Sequence, residues 1–209
     1  MVNYQVYIPQ AYIEVLQKYY MITNNRTLYS FEEKYNNGEF DIKPLTPELE
    51  YKWKAMIVDI NNNHNNLSHN SFGYILKDIN CDFVEELFLV RNDHTLLAVF
   101  TMLDNKPLLL DAFWSKNKGF ILDTNEIYVL TTSGAQDFEY AIKKINVSGT
   151  SFVTERSFGC KHGIFYQNAN NQERIISVDE FESLVALHPL KNGTEWNENP
   201  ISQYRGNTD

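Results

Sequence analysis

The sequence predicts an α+β fold in which two helices precede an antiparallel β-meander of about nine or ten short strands, and one helix follows it. Beyond residue 70, short runs rich in Val, Ile, Leu, Phe and Tyr alternate with turn residues at the spacing of successive antiparallel strands. The connections between these runs are too short for the crossover of a dozen or more residues that a parallel pair requires. Over residues 9–22 the apolar residues instead recur at helical spacing, and residues 26–44 are expected to form an irregular connection.

Three helices are predicted from apolar periodicity and from capping residues. The first covers 9–22, with two adjacent apolar stripes: Ile13, Leu16 and Tyr20, and Tyr12, Val15 and Tyr19. Thr46 before Pro47 is typical of an N-cap followed by proline at the first helical position, which predicts a second helix over 47–60. The last helix, 178–187, starts with an acidic pair and ends before a proline.

The strands are placed between the turn dipeptides Asn92-Asp93, Asp104-Asn105, Ser133-Gly134 and Ser148-Gly149. Their predicted ranges are 72–77, 86–91, 96–103, 107–114, 119–122, 127–132, 139–145, 151–158, 163–168 and 173–177.

One domain of residues 1–190 is expected, because 209 residues lie near the upper limit for a single core. We divide it into a helical N-terminal region of residues 1–60, an asparagine-rich loop 61–70, the meander 71–177 and a helix 178–188. Residues 191–209 are predicted to be a polar, frayed tail.

The charge of the chain excludes some classes of partner. Acidic residues outnumber basic ones by 27 to 18, so the net charge is −9. Such a field repels nucleic-acid phosphates and anionic lipids but suits a basic protein partner. No apolar run is long enough to cross a bilayer, so direct membrane insertion is not expected. As given, the chain is expected in the cytoplasm, or outside it if an N-terminal signal was removed.

The segment 72–89, which contains Asp78-Ile79-Asn80-Cys81-Asp82 and then Glu86-Leu87, carries a family resemblance. It resembles extracytoplasmic proteins and lipoproteins of Gram-positive bacteria in which a strand enters an Asp-x-Asn/Asp-x-Asp-Gly-x-x-Glu-Leu loop, similar to integrin-like and dockerin-like calcium repeats. The resemblance extends more weakly over residues 10–185. It implies a calcium site formed by Asp78, Asn80, Asp82 and Glu86.

Oxygen side chains at alternating positions of a loop are suited to calcium, which takes six to eight oxygen ligands. Three positions depart from the family pattern: Phe83 replaces the glycine after the third ligand, Cys81 replaces a small residue, and Glu85 stands where proline is frequent. We therefore favour a polar hairpin turn with solvated carboxylates, which has kept the shape of the loop and lost its ion, and keep calcium binding as the alternative.

Other candidate sites are weaker. His64 and His69 have neither the spacing nor the number of ligands of a zinc site. Cys160-Lys161-His162 would place a thiol near a base, although the flanking glycines indicate a turn instead. Two cysteines are too few for a disulfide scaffold, so Cys81 and Cys160 are expected to be free thiols. Trp114, at a strand end, is the candidate partner-binding residue.

These observations favour a non-enzymatic binding module that uses the face and loops of the meander to contact a protein partner. The alternative is an acidic intracellular inhibitor or immunity-type protein that neutralises a basic protein. A cysteine-dependent hydrolase acting through Cys160 ranks third, because no third group to orient a catalytic base is evident.

Overall fold

The computed structural model of the protein describes residues 8–24, 46–63, 72–188 and 199–200. The two histidines at 64 and 69, most of the predicted loop 61–70 and most of the predicted tail lie outside the described residues.

The three predicted helices are present. Helix α1 is Gln10–Asn24, α2 is Pro47–Asn63 and α3 is Val178–Leu187. Thr46 caps α2 as predicted, because its hydroxyl accepts a hydrogen bond from the Leu49 N–H at 3.2 Å. Ser177 and Glu180 form a reciprocal capping box at the start of α3.

Within the described residues, eleven strands form one sheet in which every pair is antiparallel, so the predicted α+β meander is confirmed. The strands are β1 Phe72–Lys77, β2 Glu86–Arg91, β3 Leu96–Leu103, β4 Lys106–Ala112, β5 Asn117–Ile121, β6 Ile127–Gly134, β7 Asp137–Ile145, β8 Phe152–Lys161, β9 Ile164–Ala169, β10 Gln172–Ile175 and β11 Asn199–Pro200.

The sheet departs from a simple meander at β3, which pairs with two strands on the same side. Residues 98–103 of β3 pair with β4, whereas Leu96 pairs with Gly119 of β5. The remaining order is β10-β9-β8-β7-β6-β5-β3-β2-β1-β11. The sheet bends at this change of partner. The strands of its second half, among them β6 and β7, then pack over its first half, β1–β4.

Both faces of strands β1–β4 are buried, which explains their nearly continuous apolar runs. One face packs on α1 and α2 in a helix-side core that includes Tyr12, Leu16, Trp53, Met56, Leu87, Leu89, Leu97, Phe100 and Leu109. The other face meets β6 and β7 in an inner core that includes Phe88, Val90, Val99, Leu108, Leu110, Phe113, Ile127, Val129 and Ala141. Helix α3 covers a smaller aromatic cluster with Tyr128, Ile142 and Phe158.

A buried charge network ties α2 to the sheet. The Asp111 carboxylate, 3% exposed, pairs with Lys52 of α2 at 3.0 Å and with Lys143 of β7 at 3.1 Å. Lys52 also pairs with Glu48 at 2.9 Å. These opposite charges raise the pKa of Lys52 although burial alone would lower it. The network therefore holds a helix and both halves of the sheet at one point.

Several predicted ends were wrong. Helix α2 continues to Asn63, into the predicted loop 61–70, and β4 and β10 each end two residues earlier than predicted, at Ala112 and Ile175. Strand β8 runs to Lys161 instead of ending at 158, because Gly159 and Cys160 still pair with β7. The tail is not uniformly frayed, because Pro200 and Asn199 pair with Gly73 and Tyr74 of β1.

Candidate binding site at the β1–β2 loop

The connection between β1 and β2, residues 78–85, is closed by its own carboxylates. Asp78 Oδ1 accepts hydrogen bonds from the N–H groups of Cys81 at 2.7 Å and Asp82 at 3.3 Å. Its Oδ2 accepts from the Phe83 N–H at 2.9 Å, and Asp82 Oδ1 accepts from the Val84 N–H at 2.8 Å. Such side-chain-to-backbone bonds fix a loop in one conformation.

Two residues of this loop have left-handed backbone angles. Cys81 has φ +62° and Phe83 has φ +71°. For an L-residue this region costs about 1–2 kcal/mol, and only glycine enters it without that cost. Phe83 thus has the positive φ of a glycine, at the position where the sequence-based resemblance leads one to expect glycine.

The Phe83 side chain lies in solvent, 98% exposed, on the outermost part of the loop. Val147, in the turn between β7 and β8, is also fully exposed. Single exposed apolar side chains are common on protein surfaces, so exposure alone does not mark these two positions as a binding site.

The two turns lie against each other. A Cβ atom placed on Gly149 would be 3.3 Å from Asp82 Oδ2 and 3.8 Å from Asn80 Nδ2. The β7–β8 turn is itself fixed by Asn146, whose Oδ1 accepts from the Thr150 N–H at 2.9 Å. The bend of the sheet therefore brings two rigid turns, which we call the loop pair (residues 78–85 and 146–151), to one end of the molecule.

Glu86 lies beneath the loop and is fully buried. Its Oε2 accepts from the Ile79 N–H at 3.0 Å and its Oε1 accepts from the Thr101 hydroxyl at 3.2 Å. Burial raises the pKa of this carboxyl from 4.5 to about 7, with smaller contributions from Asp82 and Asp78. The pKa of Glu86 is thus higher in the folded chain than in the unfolded chain. Its contribution to the free energy of unfolding is therefore complete below pH 4.5 and is lost as the pH rises to about 7.

The four predicted metal ligands do not converge in this conformation. Asp78 and Asp82 accept hydrogen bonds from the loop, and Asn80 turns its amide N–H toward Asp82 Oδ2 at 2.8 Å. Glu86 points into the core. Across residues 8–24, 46–63, 72–188 and 199–200, no three His, Cys, Asp or Glu side chains form a group that could hold a metal ion. Calcium at this loop stays a prediction.

Trp114, the predicted partner-binding residue, is half-buried and lies just after β4. Its ring meets the Tyr51 ring of α2 edge to face, with centroids 6.0 Å apart. Tyr51 is itself 65% exposed, so the pair forms a partly open aromatic contact on the helix side of the sheet.

The cysteine and histidine candidates are not brought together as a catalytic group. Cys160 is buried in β8, opposite Phe138 and Phe165, and Cys81 is exposed; both thiols are free. His162 and Gly163 form the β8–β9 turn, both with positive φ. The His162 side chain is 90% exposed and lies 3.4 Å from Asp137.

Phe83 and Val147 are site residues that the sequence did not predict. Phe83 is noticeable there only as a departure from the glycine of the loop pattern, and Val147 only as an apolar residue inside the polar turn Asn146-Val147-Ser148. The bend of the sheet brings their two turns together, at Asp82 and Gly149.

None of the described helices is long and apolar enough to cross a membrane. Comparison of the chain with protein-family models, with curated proteins and with solved structures gave no match.

Proposed function

We propose that this protein is a non-enzymatic binding module that contacts a protein partner through the β1–β2 loop, with Phe83 as the principal contact residue. The observation that carries the proposal is the combination of φ +71° and 98% exposure at Phe83. A residue held in a costly backbone conformation is a recognised mark of a functional position.

Phe83 costs the isolated fold free energy in two ways. Its left-handed backbone is unfavourable for any residue with a Cβ, and its ring gains nothing from packing. A partner that covers the ring would remove apolar area from water at roughly 25 cal/mol per Å², and aromatic side chains bury about 150–250 Å². Burial of the Phe83 ring in a complex would therefore offset the backbone cost, which nothing offsets in the isolated fold.

The loop is suited to recognition because it is rigid. The three hydrogen bonds to Asp78 fix the loop backbone, and the Tyr12 hydroxyl donates to the Glu85 carbonyl at 2.8 Å, which connects the loop to α1. A preorganised loop loses little conformational entropy on binding. The resemblance of segment 72–89 to modules of the Gram-positive cell envelope supports the same function.

The test is site-specific photo-crosslinking. A photoreactive phenylalanine analogue is incorporated at position 83 of the full chain, which is then irradiated in an extract of the source cells. We expect a discrete covalent adduct with one protein, and we expect excess unlabelled wild-type chain to suppress it.

The matched control carries the same analogue at Ile175, an exposed apolar residue on the edge strand β10. An adduct that forms equally well from position 175, or one that unlabelled chain does not compete away, would show that the reaction is only non-specific. Either result would refute Phe83 as the contact residue.

A calcium ion at the same loop is a separate proposal, favoured by the positive φ of Cys81 and Phe83, which preserves the turn of the resembling calcium loops. Binding to the folded state would raise stability by about 2.7 kcal/mol at one hundred times the dissociation constant. Thermal unfolding in EDTA and in millimolar calcium tests this, with Asp82→Ala as the variant. A midpoint that calcium leaves unchanged in the wild-type chain would refute it.

The described geometry gives no support to a cysteine-dependent hydrolase. The Cys160 thiol is buried between neighbouring strands, and the nearest histidine in sequence points into solvent from a turn. A nucleophile needs a base within hydrogen-bond reach.

A further inference from the structure

We infer that Tyr12 of α1 is a positioning residue for partner binding, because its buried hydroxyl holds the end of the β1–β2 loop that follows Phe83. The inference rests on the proposed function of Phe83. It adds a residue that acts on binding without touching the partner, and it gives helix α1 a part in recognition.

The Tyr12 hydroxyl reaches the loop from the helix-side core. Tyr12 is fully buried and packs among the apolar residues of that core. Its hydroxyl donates to the Glu85 carbonyl at 2.8 Å, and the Phe100 carbonyl of β3 lies at 3.5 Å. Burial, together with the charges of Glu86 and Glu85, raises the pKa of Tyr12, so the hydroxyl keeps its proton and remains a donor.

Polar side chains hold the loop at its start, its middle and its end. Glu86 accepts from the Ile79 N–H at 3.0 Å, and Asp78 accepts from the Phe83 N–H at 2.9 Å. Both of these acceptors belong to the loop or to the strand that adjoins it, whereas Tyr12 belongs to a helix. The hydrogen bond from Tyr12 therefore fixes the end of the loop relative to the helical layer.

Loss of this donor should loosen the backbone that carries Phe83. A carbonyl that loses its partner in a partly buried place is unfavourable, so Glu85 would move to bind water. Glu85 is only two residues from Phe83, and the segment between them would gain freedom. A partner would then have to order the loop on binding, which weakens affinity.

The experiment compares Tyr12→Phe with Tyr19→Phe in the full chain. The first substitution removes only the oxygen that bonds the loop. The second is a matched control in the same helix, because Tyr19 is also buried and its hydroxyl has no hydrogen-bond partner within the part of the chain that the structure describes.

The first readout is hydrogen exchange of the Cys81 and Phe83 amides, which needs no partner. Both N–H groups bond to Asp78, so their exchange reports the opening of the loop. We expect exchange about three- to tenfold faster than wild type in Tyr12→Phe, the equivalent of one lost hydrogen bond. Tyr19→Phe should exchange at the wild-type rates.

The second readout is a double-mutant cycle on the affinity for the protein that is crosslinked at position 83. Tyr12→Phe should weaken binding about fivefold in the wild-type chain and less than about twofold in the Phe83→Gly chain. This dependence is expected only if Tyr12 acts through the loop. Tyr19→Phe should change affinity by less than about twofold in either chain.

Three outcomes would overturn the inference and leave the proposed function standing. Wild-type exchange of the two loop amides in Tyr12→Phe would show that the hydroxyl does not hold the loop. Faster exchange with unchanged affinity would show that holding the loop does not matter for binding. Equal weakening in the wild-type and Phe83→Gly chains would assign Tyr12 to the stability of the fold. An unchanged affinity of Phe83→Gly itself would instead refute the proposed function.

Discussion

Replacing Phe83 with glycine is expected to make the fold more stable, although it removes a large apolar side chain. The Phe83 ring is 98% exposed, so its removal loses no packing inside the chain. The backbone at φ +71° is unfavourable for phenylalanine and ordinary for glycine. The substitution therefore removes a local cost and leaves the hydrogen bonds to Asp78 in place.

The magnitude follows from two opposing terms. Glycine at this left-handed position raises the free energy of unfolding by about 1–2 kcal/mol, because the clash of Cβ with the following carbonyl disappears. The greater freedom of glycine in the unfolded chain costs about 0.5–1 kcal/mol. The net stabilisation is about 0.5–1 kcal/mol, or roughly 1–4 °C in the unfolding midpoint of a chain this long.

Urea unfolding followed by tryptophan fluorescence measures this change, with Phe83→Ala as the control. Alanine removes the ring but keeps the Cβ, so the alanine variant should remain within about 0.5 kcal/mol of the wild-type chain. A glycine variant that is less stable than wild type by about 1 kcal/mol would refute the reasoning, because it would mean that the ring is packed.

Three further predictions concern the scaffold. Glu86→Gln keeps the shape of the carboxyl group but does not titrate. Relative to this variant, the free energy of unfolding of the wild-type chain should fall by about 3 kcal/mol between pH 4.5 and 7.5. Parallel pH profiles of the two chains in urea unfolding would contradict this. Asp111→Asn should destabilise by about 3–5 kcal/mol, because it leaves two poorly exposed lysines without their shared carboxylate, whereas Lys54→Ala, in an exposed pair, should change stability by less than about 1 kcal/mol. Gly159→Ala should prevent stable folding, because a Cβ there would collide with the backbone of Phe138. Gly134→Ala should be tolerated, because a Cβ there would meet only Asp137 Oδ2, at 3.8 Å. Equal stability of the two variants in thermal unfolding would contradict this reasoning.

Most of the element pattern could be predicted because local signals agree with the final fold. The bounds of β1, β2, β3 and α3 match the predicted ranges, since turn or capping residues lie directly beside each of them. The predicted β8 is too short because a glycine such as Gly159 usually indicates a turn. In the structure this glycine stays in the strand and permits a close approach to β7.

The bend of the sheet could not be predicted, because it depends on tertiary pairing at β3. A single pair between Leu96 and Gly119 starts the second half of the sheet, and Gly119 leaves room for the Phe113 ring. Without that bend, nothing in the sequence relates residue 149 to residue 82. The pairing of residues 199 and 200 with β1 likewise has no local signal.

The candidate site was predictable in its polar residues only. The alternating pattern of Asp78, Asn80 and Asp82 predicted a calcium loop or a turn with solvated carboxylates, whereas in the structure these side chains form hydrogen bonds within the loop. The position of Glu86 in the core follows from the alternation of β2, where it shares a face with Phe88 and Val90. The exposure of Phe83 appears only when the loop is folded.

The most direct test of the proposed contact is the affinity of the crosslinked partner for the wild-type chain, for Phe83→Gly and for Ile175→Ala. We expect the glycine variant to bind at least about thirtyfold more weakly, because an aromatic hot-spot residue contributes about 2 kcal/mol or more. Ile175→Ala should bind with the wild-type affinity. Since Phe83→Gly is expected to be the more stable fold, its weaker binding could not be explained by unfolding. An unchanged dissociation constant for Phe83→Gly would contradict the assignment of the β1–β2 loop as the binding site.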